Sequence, residues 1–256
     1  MRKSLLALSV SIALLNISGI AQAKTEMAAA NASAGKTKSA SCSGCHGEDG
    51  NSMMPLFPKL ADQNEEYLVK QMQAFKNGTR INATMSAMVA DLSTQDMQDI
   101  AAFYEKQKIT KNTLPPLEWD DEDEDEDEGE AAEELTEEEA LAVKTAKEQA
   151  AANKQAAQEQ RDALLALGYD VYRNGDLERE ISACIACHGP YGEGNKPAAF
   201  PALQGQHADY LIKTLTDFKN NVRSNNPENM MHMIAHKMTE EEIKGIAYHV
   251  SVMESN

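Results

Sequence analysis

The pentapeptides Cys42-Ser43-Gly44-Cys45-His46 and Cys184-Ile185-Ala186-Cys187-His188 begin 142 residues apart and use all four cysteines of the 256-residue chain. Cys-x-x-Cys-His is the spacing of a c-type heme attachment site. The two thiols add to the heme vinyl groups as thioethers, and the histidine that follows lies under the iron as its proximal ligand. A lone Cys-x-x-Cys also fits half a zinc site or a dithiol redox pair. Neither of those needs a histidine directly after the second cysteine, and neither copy sits in an alternating strand-helix pattern. The sequence therefore predicts two covalent hemes c per chain. Cys42, Cys45, Cys184 and Cys187 are the attachment residues, His46 and His188 are iron ligands, and no thiol is left for a disulfide.

Outward from these sites the chain repeats itself. Residues 51–80 read NSMMPLFPKLADQNEEYLVKQMQAFKNGTR, and residues 195–223 read NKPAAFPALQGQHADYLIKTLTDFKNNVR. Phe57-Pro58 matches Phe200-Pro201, Tyr67 matches Tyr210, and Phe75-Lys76-Asn77 matches Phe218-Lys219-Asn220. Each copy closes with an expected helix. Ser93 with Asp96 caps a segment carrying Met97, Ile100 and Tyr104 on one face. Thr239 with Glu242 forms a capping box before Ile243, Ile246, Ala247 and Val250. A repeat of about 90 residues is small for a self-sufficient core. A covalently held heme supplies the missing apolar centre.

A second axial ligand is needed unless the iron stays open. The first repeat contains one histidine, His46, so methionine is the alternative there. Met85 lies eight residues before Ser93, and Met231 lies eight residues before Thr239. This common ruler selects Met85 and Met231 as metal ligands. In the second repeat Met230, Met233, His232 and His236 crowd the same segment and remain alternatives. Among the 13 methionines, Met53, Met54, Met72 and Met97 read as core or heme-pocket filler. His207 and His249 read as ordinary surface or helix residues. A proximal histidine donates its other ring N–H to an acceptor, and the carbonyls of Pro58 and Pro201, 12 and 13 residues after the two histidines, are the candidates.

The flanks define the organisation. Arg2 and Lys3, the apolar run Leu5 to Ile17 and Ala21-Gln22-Ala23 read as a cleaved export signal over 1–23, too short to span a bilayer. No other segment is apolar enough to do so. Net charge is −17, or −19 without Arg2 and Lys3. Sixteen acids and no base fall between Glu118 and Glu139, which leaves −3 elsewhere in the processed chain. The acidity is a local feature, and like charges in a block stay solvated. Beyond it, Thr136 with Glu139 opens an Ala-rich helix whose first part has no apolar face beyond alanine. Leu164, Leu165, Leu167 and Val171 form a stripe packed on the second repeat. The expected domains are 24–114 and 155–256, joined by an acidic and Ala-Glu-rich linker over 115–154.

These attachment sites, the segments FPKLADQNEEYLVKQMQAFKNGTR and FPALQGQHADYLIKTLTDFKNNVR, and the methionines before LSTQDMQDIAAFY and MTEEEIKGIAYHV resemble the diheme cytochromes c of the c4 type. The resemblance covers about residues 36–108 and 160–254. It implies an all-α fold of two tandem class I cytochrome c-like heme domains, here joined by an acidic, partly helical insertion. It implies His/Met ligation of both irons, with the axial methionines at Met85 and Met231. It further implies an electron carrier of the periplasm rather than an enzyme. Its partners would be redox proteins, with a donor such as a quinol-oxidising complex and an acceptor such as a terminal oxidase or reductase. Nothing points to nucleic acid. A diheme peroxidase and an accessory heme subunit of a respiratory complex are the competing classes. The insertion departs from the short connection of the family and leaves open whether the two domains pack or hang on a tether.

Overall fold

The computed structural model describes residues 29–114 and 136–254. The expected export signal and residues 118–135 of the acidic run lie outside them. In the first repeat, α1 (Ala32–Lys38) is followed by the one-turn α2 (Ser43–His46), α3 (Glu65–Lys76), α4 (Ala83–Val89) and α5 (Thr94–Glu105). In the second, α6 (Glu137–Asn174) precedes the one-turn α7 (Ile185–His188), α8 (Ala208–Lys219), α9 (Met230–Ala235) and α10 (Glu240–Ser251). Among the described residues there is no strand, only two isolated bridges, Asp176 with Ile181 and Asn195 with Phe200.

Both expected capping boxes form. The Ser93 hydroxyl accepts from the backbone N–H of Asp96, whose carboxylate accepts from Ser93 N–H in return. Thr239 and Glu242 repeat the exchange at the start of α10. Each such cap is worth about 1 kcal/mol to its helix. The α5 face then buries Met97, Ile100, Ala101 and Tyr104, and the α10 face buries Ile243, Ala247 and Val250.

Each closing helix is crossed by the first helix of its repeat at a glycine. A Cβ on Gly35 of α1 would fall 1.8 Å from the Asp99 carbonyl oxygen of α5. A Cβ on Gly168 of α6 would fall 1.9 Å from the Gly245 carbonyl oxygen of α10. Only the missing side chain permits backbones to approach this closely.

Helix α6 is continuous for 38 residues. Residues 141–156 are exposed throughout, and burial begins at Ala157. Leu164, Val171 and Tyr172 then enter the second core, with Leu165 and Leu167 packed at its edge. The expected stripe is present, extended by Ala157 and Tyr172.

The two repeats pack against each other. Their contact is partly reciprocal about an approximate twofold, so that several bonds from one repeat have a counterpart from the other. Gln63 Nε2 donates to the Ala202 carbonyl at 2.8 Å, and Ala202 N–H donates to Gln63 Oε1 at 2.8 Å. Gln206 does the same to Lys59, at 2.9 and 2.8 Å. Arg80 donates to the Tyr210 hydroxyl at 3.1 Å, and Arg223 donates to the Tyr67 hydroxyl at 3.0 Å. Asn64 donates to the Phe200 carbonyl at 2.7 Å, and His207 Nε2 donates to the Ser52 carbonyl at 2.8 Å. The segment after α5 also crosses over. Asn112 donates to the carbonyls of Gly205 and Ser251, and Leu114 packs on the second core. The domains are therefore docked through side chains that satisfy buried backbone groups, an arrangement that is costly to break.

Candidate heme sites

Each attachment motif folds as one helical turn. His46 N–H donates to the Cys42 carbonyl at 3.0 Å, and His188 N–H donates to the Cys184 carbonyl at 2.9 Å. This turn sets two cysteines at i and i+3 on one face, with the histidine next to the second. The turn ends at a glycine with positive φ, Gly47 at 82° and Gly189 at 79°, where the chain reverses away from the site. None of the four cysteines is engaged in a disulfide. Cys184 is the more enclosed, and burial pushes its thiol up to about 12. Burial also pushes the Cys42 thiol upward.

Both histidines are buried. His46 Nδ1 donates to the Pro58 carbonyl at 2.8 Å, and His188 Nδ1 donates to the Pro201 carbonyl at 2.9 Å. A carbonyl only accepts, so each Nδ1 carries the proton and each Nε2 keeps its lone pair. Burial lowers the pKa of both rings below the ordinary imidazole value, against the opposing pull of the proline carbonyls. Both imidazoles are therefore neutral near pH 7, as a metal ligand requires. Phe57 and Phe200 meet the two rings at centroid distances of 6.3 Å. The prolines picked out in the sequence as carbonyl acceptors occupy that position in both domains.

The methionines are placed less uniformly. Met85 lies in α4, and its N–H is held by the Asn82 side chain at 2.9 Å. It is half-buried against Phe75, Val89 and Met97, whereas Cys42 packs against Leu68, Ile100, Phe103 and Tyr104. Met72 and Leu92 touch both groups. The first core is thus split between the attachment side and the methionine side. Met231 lies in α9 with its N–H held by Asn226 at 2.9 Å. It packs on the same core as Cys184, Ile185 and Leu203. Of its neighbours, Met233 and His236 are exposed, and His232 Nδ1 donates to the Phe218 carbonyl.

Met97 is buried and Met72 half-buried, as expected of filler, but Met53 and Met54 are exposed. They sit in a turn held by the Ser52 hydroxyl, which bonds both the N–H and the carbonyl of Met54. His207 is not an ordinary surface residue, since it caps the interface through Ser52. His249 is half-buried, edge-on to Tyr169 and Tyr172. Gln63 and Gln206 escaped the sequence reading. Their one signal was position, because both stand five residues after the acceptor proline of their own repeat.

The residue set fits heme c. Each site offers two unpaired thiols on one helical turn and a neutral histidine with Nε2 free. Among the described residues no three of His, Cys, Asp and Glu converge as a metal cage, so the two motifs do not join as one zinc site.

Residues 32–108 and 165–253 match the cytochrome c family. Cytochrome c4 of Azotobacter vinelandii is 36% identical, with 98% of each chain covered. The chain belongs to the cytochrome c4 family. The crystal structure of reduced recombinant cytochrome c4 from Pseudomonas stutzeri superposes with a TM-score of 0.67 at 33% identity, covering 88% of this chain and all of that one. A protein named thiosulfate dehydrogenase electron acceptor, from Thiomonas intermedia, is 31% identical over 86% of this chain and 82% of its own. Membership makes this a diheme c-type cytochrome, an electron-transfer protein with two covalent hemes c and their irons. Among the described residues no helix is long and apolar enough to cross a membrane.

Proposed function

We propose that the chain carries single electrons in the periplasm between redox proteins, through two His/Met-ligated irons. Cys42 and Cys45 hold the first heme and Cys184 and Cys187 the second. His46 and Met85 ligate the first iron, and His188 and Met231 ligate the second. The domains are 24–114 and 155–256, after a signal over 1–23 and with 115–154 between them. The carrying observation is the pair of buried histidines whose Nδ1–H groups are fixed by proline carbonyls, which aims both Nε2 atoms as ligands. The bound group supplies a one-electron couple. The chain's own contribution is to fix the ligands and exclude water. Met85 and Met231 as the second ligands would raise the potential and leave the irons no open position for peroxide, which favours a carrier over a peroxidase. A quinol-oxidising complex is the donor class and a terminal oxidase or reductase the acceptor class. The relative named as a dehydrogenase's electron acceptor adds a second donor class.

The test is the weak Met-to-iron charge-transfer band of the oxidised protein. Met85→Ala and Met231→Ala are each expected to remove about half of it. A band of full intensity in either variant assigns the ligand elsewhere. Peroxide turnover typical of a dedicated peroxidase would overturn the carrier reading.

A further inference from the structure

The peptide unit that anchors each proximal histidine is gripped from behind by the opposite domain. The Pro58 carbonyl accepts from His46 Nδ1, and the N–H of that same peptide, on Lys59, donates to Gln206 Oε1 of the second domain at 2.8 Å. The Pro201 carbonyl accepts from His188 Nδ1, and the N–H of its peptide, on Ala202, donates to Gln63 Oε1 of the first domain at 2.8 Å. The second half of each clamp is the glutamine Nε2, which donates to the carbonyl of Lys59 or Ala202. Each Oε1 takes one more N–H, from Asn64 or His207 in its own chain segment, so the amide has no freedom to flip. Lys59, Gln63, Ala202 and Gln206 are all buried.

We infer that Gln63 and Gln206 are cross-domain positioning residues, each setting the strength of the hydrogen bond made by the other domain's proximal histidine. The physics is that of a polarised peptide. An acceptor on the N–H side pushes electron density toward the carbonyl oxygen, and serial hydrogen bonds of this kind strengthen one another by roughly 10–30% per bond in a low-dielectric interior. A stronger carbonyl acceptor draws the Nδ1 proton further and makes the imidazole a better donor to its metal. A better donor ligand favours the oxidised iron and lowers the potential. The second domain thus holds down the potential of the first heme, and the first holds down that of the second, over a path of one side-chain amide and one peptide. The inference rests on His46 and His188 being the proximal ligands.

The experiment uses the full-length holoprotein with Gln206→Met and Gln63→Met, which keep volume and charge and remove the amide. Heme resonances assigned to each domain are followed by NMR through a redox titration. In the reduced protein, the Nδ1–H resonances of His46 and His188 report the hydrogen bond directly. Gln206→Met is expected to raise the potential of the first-domain heme and move the His46 Nδ1–H resonance upfield, with the second-domain heme unmoved. Gln63→Met gives the mirror pattern. Tyr210→Phe, measured at pH 6, weakens the same interface without touching either clamp and is expected to reproduce neither shift. A potential change in the domain that carries the substitution, an equal change in both, or none overturns the inference. Separately, a first-domain heme that stays low-spin in His46→Ala would overturn the ligand assignment instead.

Discussion

The two domains share one plan but secure it differently. In the first, α1 is only seven residues long, and the core is split into two small clusters. In the second, α6 lays Leu164, Val171 and Tyr172 across α10 and merges everything into one core. The electrostatic solution is common to both, yet its parts are not equivalent. The capping carboxylate of each closing helix is gripped by a base from upstream of the attachment motif. Lys38, at the end of α1, reaches Asp96 at 2.7 Å and Asp99 at 2.5 Å. In the second domain the grip comes from Arg179, in the loop after α6, which bonds Glu242 in a two-pronged contact and pairs with Asp176 at 2.7 Å. Duplicated domains retain the charge at the helix start and recruit whatever base the local loop supplies.

The largest expected contrast comes from removing a heme. Cys42→Ser with Cys45→Ser, or Cys184→Ser with Cys187→Ser, should each lower the covalent heme count from two to one by mass spectrometry. The first pair should cost more helix by circular dichroism, because a split core depends more on the group that fills it. Equal losses would mean that the merged core gives the second domain no independence.

Overpacking the helix crossings ranks next. Gly35→Val and Gly168→Val place carbons inside opposing carbonyls, and overpacking costs roughly 1–3 kcal/mol or more. The fall in thermal midpoint should be greater for Gly35→Val, since the only apolar side chain α1 packs on its core is Ala32, whereas α6 keeps Leu164, Val171 and Tyr172.

Acid sensitivity should separate the two grips. Lys38 holds Asp96 and Asp99 below the usual carboxylate range, and Arg179 does the same for Glu242. Stability from carboxyls depressed in the folded state is fully present above their unfolded pKa, near 4. It is lost as pH falls through the lower folded values. Lys38→Met should therefore flatten the acid limb of stability against pH, and do so more than Arg179→Met, because it leaves the buried Asp99 with only the neutral donors Asn31 N–H and Gln95. Identical acid limbs in both variants would remove the contrast.

The smallest effect concerns the interface itself. Burial opposes ionisation of Tyr210, but the guanidinium groups of Arg80 and Arg223 outweigh it and bring the phenol down to about 8. A depressed acid gains stability as pH climbs from its folded toward its unfolded value. Thermal stability should rise slightly between pH 8 and 10, and Tyr210→Phe should reduce that rise to the share left by Lys59, whose ammonium pKa burial lowers to about 8.

What was readable from the sequence was local. Cys-x-x-Cys-His, the Ser93 and Thr239 boxes and the apolar faces of α5 and α10 are all set within one or two turns of chain. Pro58 and Pro201 were readable because a repeat repeats its loop lengths. The interface was not, since nothing in a neutral glutamine reveals that its partner lies 139 or 147 residues away. Met53 and Met54 misled because methionine suits a core and a surface turn alike, and the Ser52 bonds that decide between them are a matter of backbone direction. The exposed half of α6 was visible as a face without apolar residues larger than alanine, apart from Leu141 and Val143, which stand in solvent.

The reciprocal interface also separates cohesion from connectivity. The domains hold each other by side chains that complete buried backbone bonds, and the end of the first domain already lies across the second through Asn112 and Leu114. The covalent link between Leu114 and Thr136 adds stoichiometry to this cohesion, guaranteeing one partner per partner. A chain opened by an engineered protease site within 115–135 would remain a two-fragment cytochrome. Mutations that weaken the docking face would be felt as dissociation in the opened form and as domain swapping between copies in the intact one.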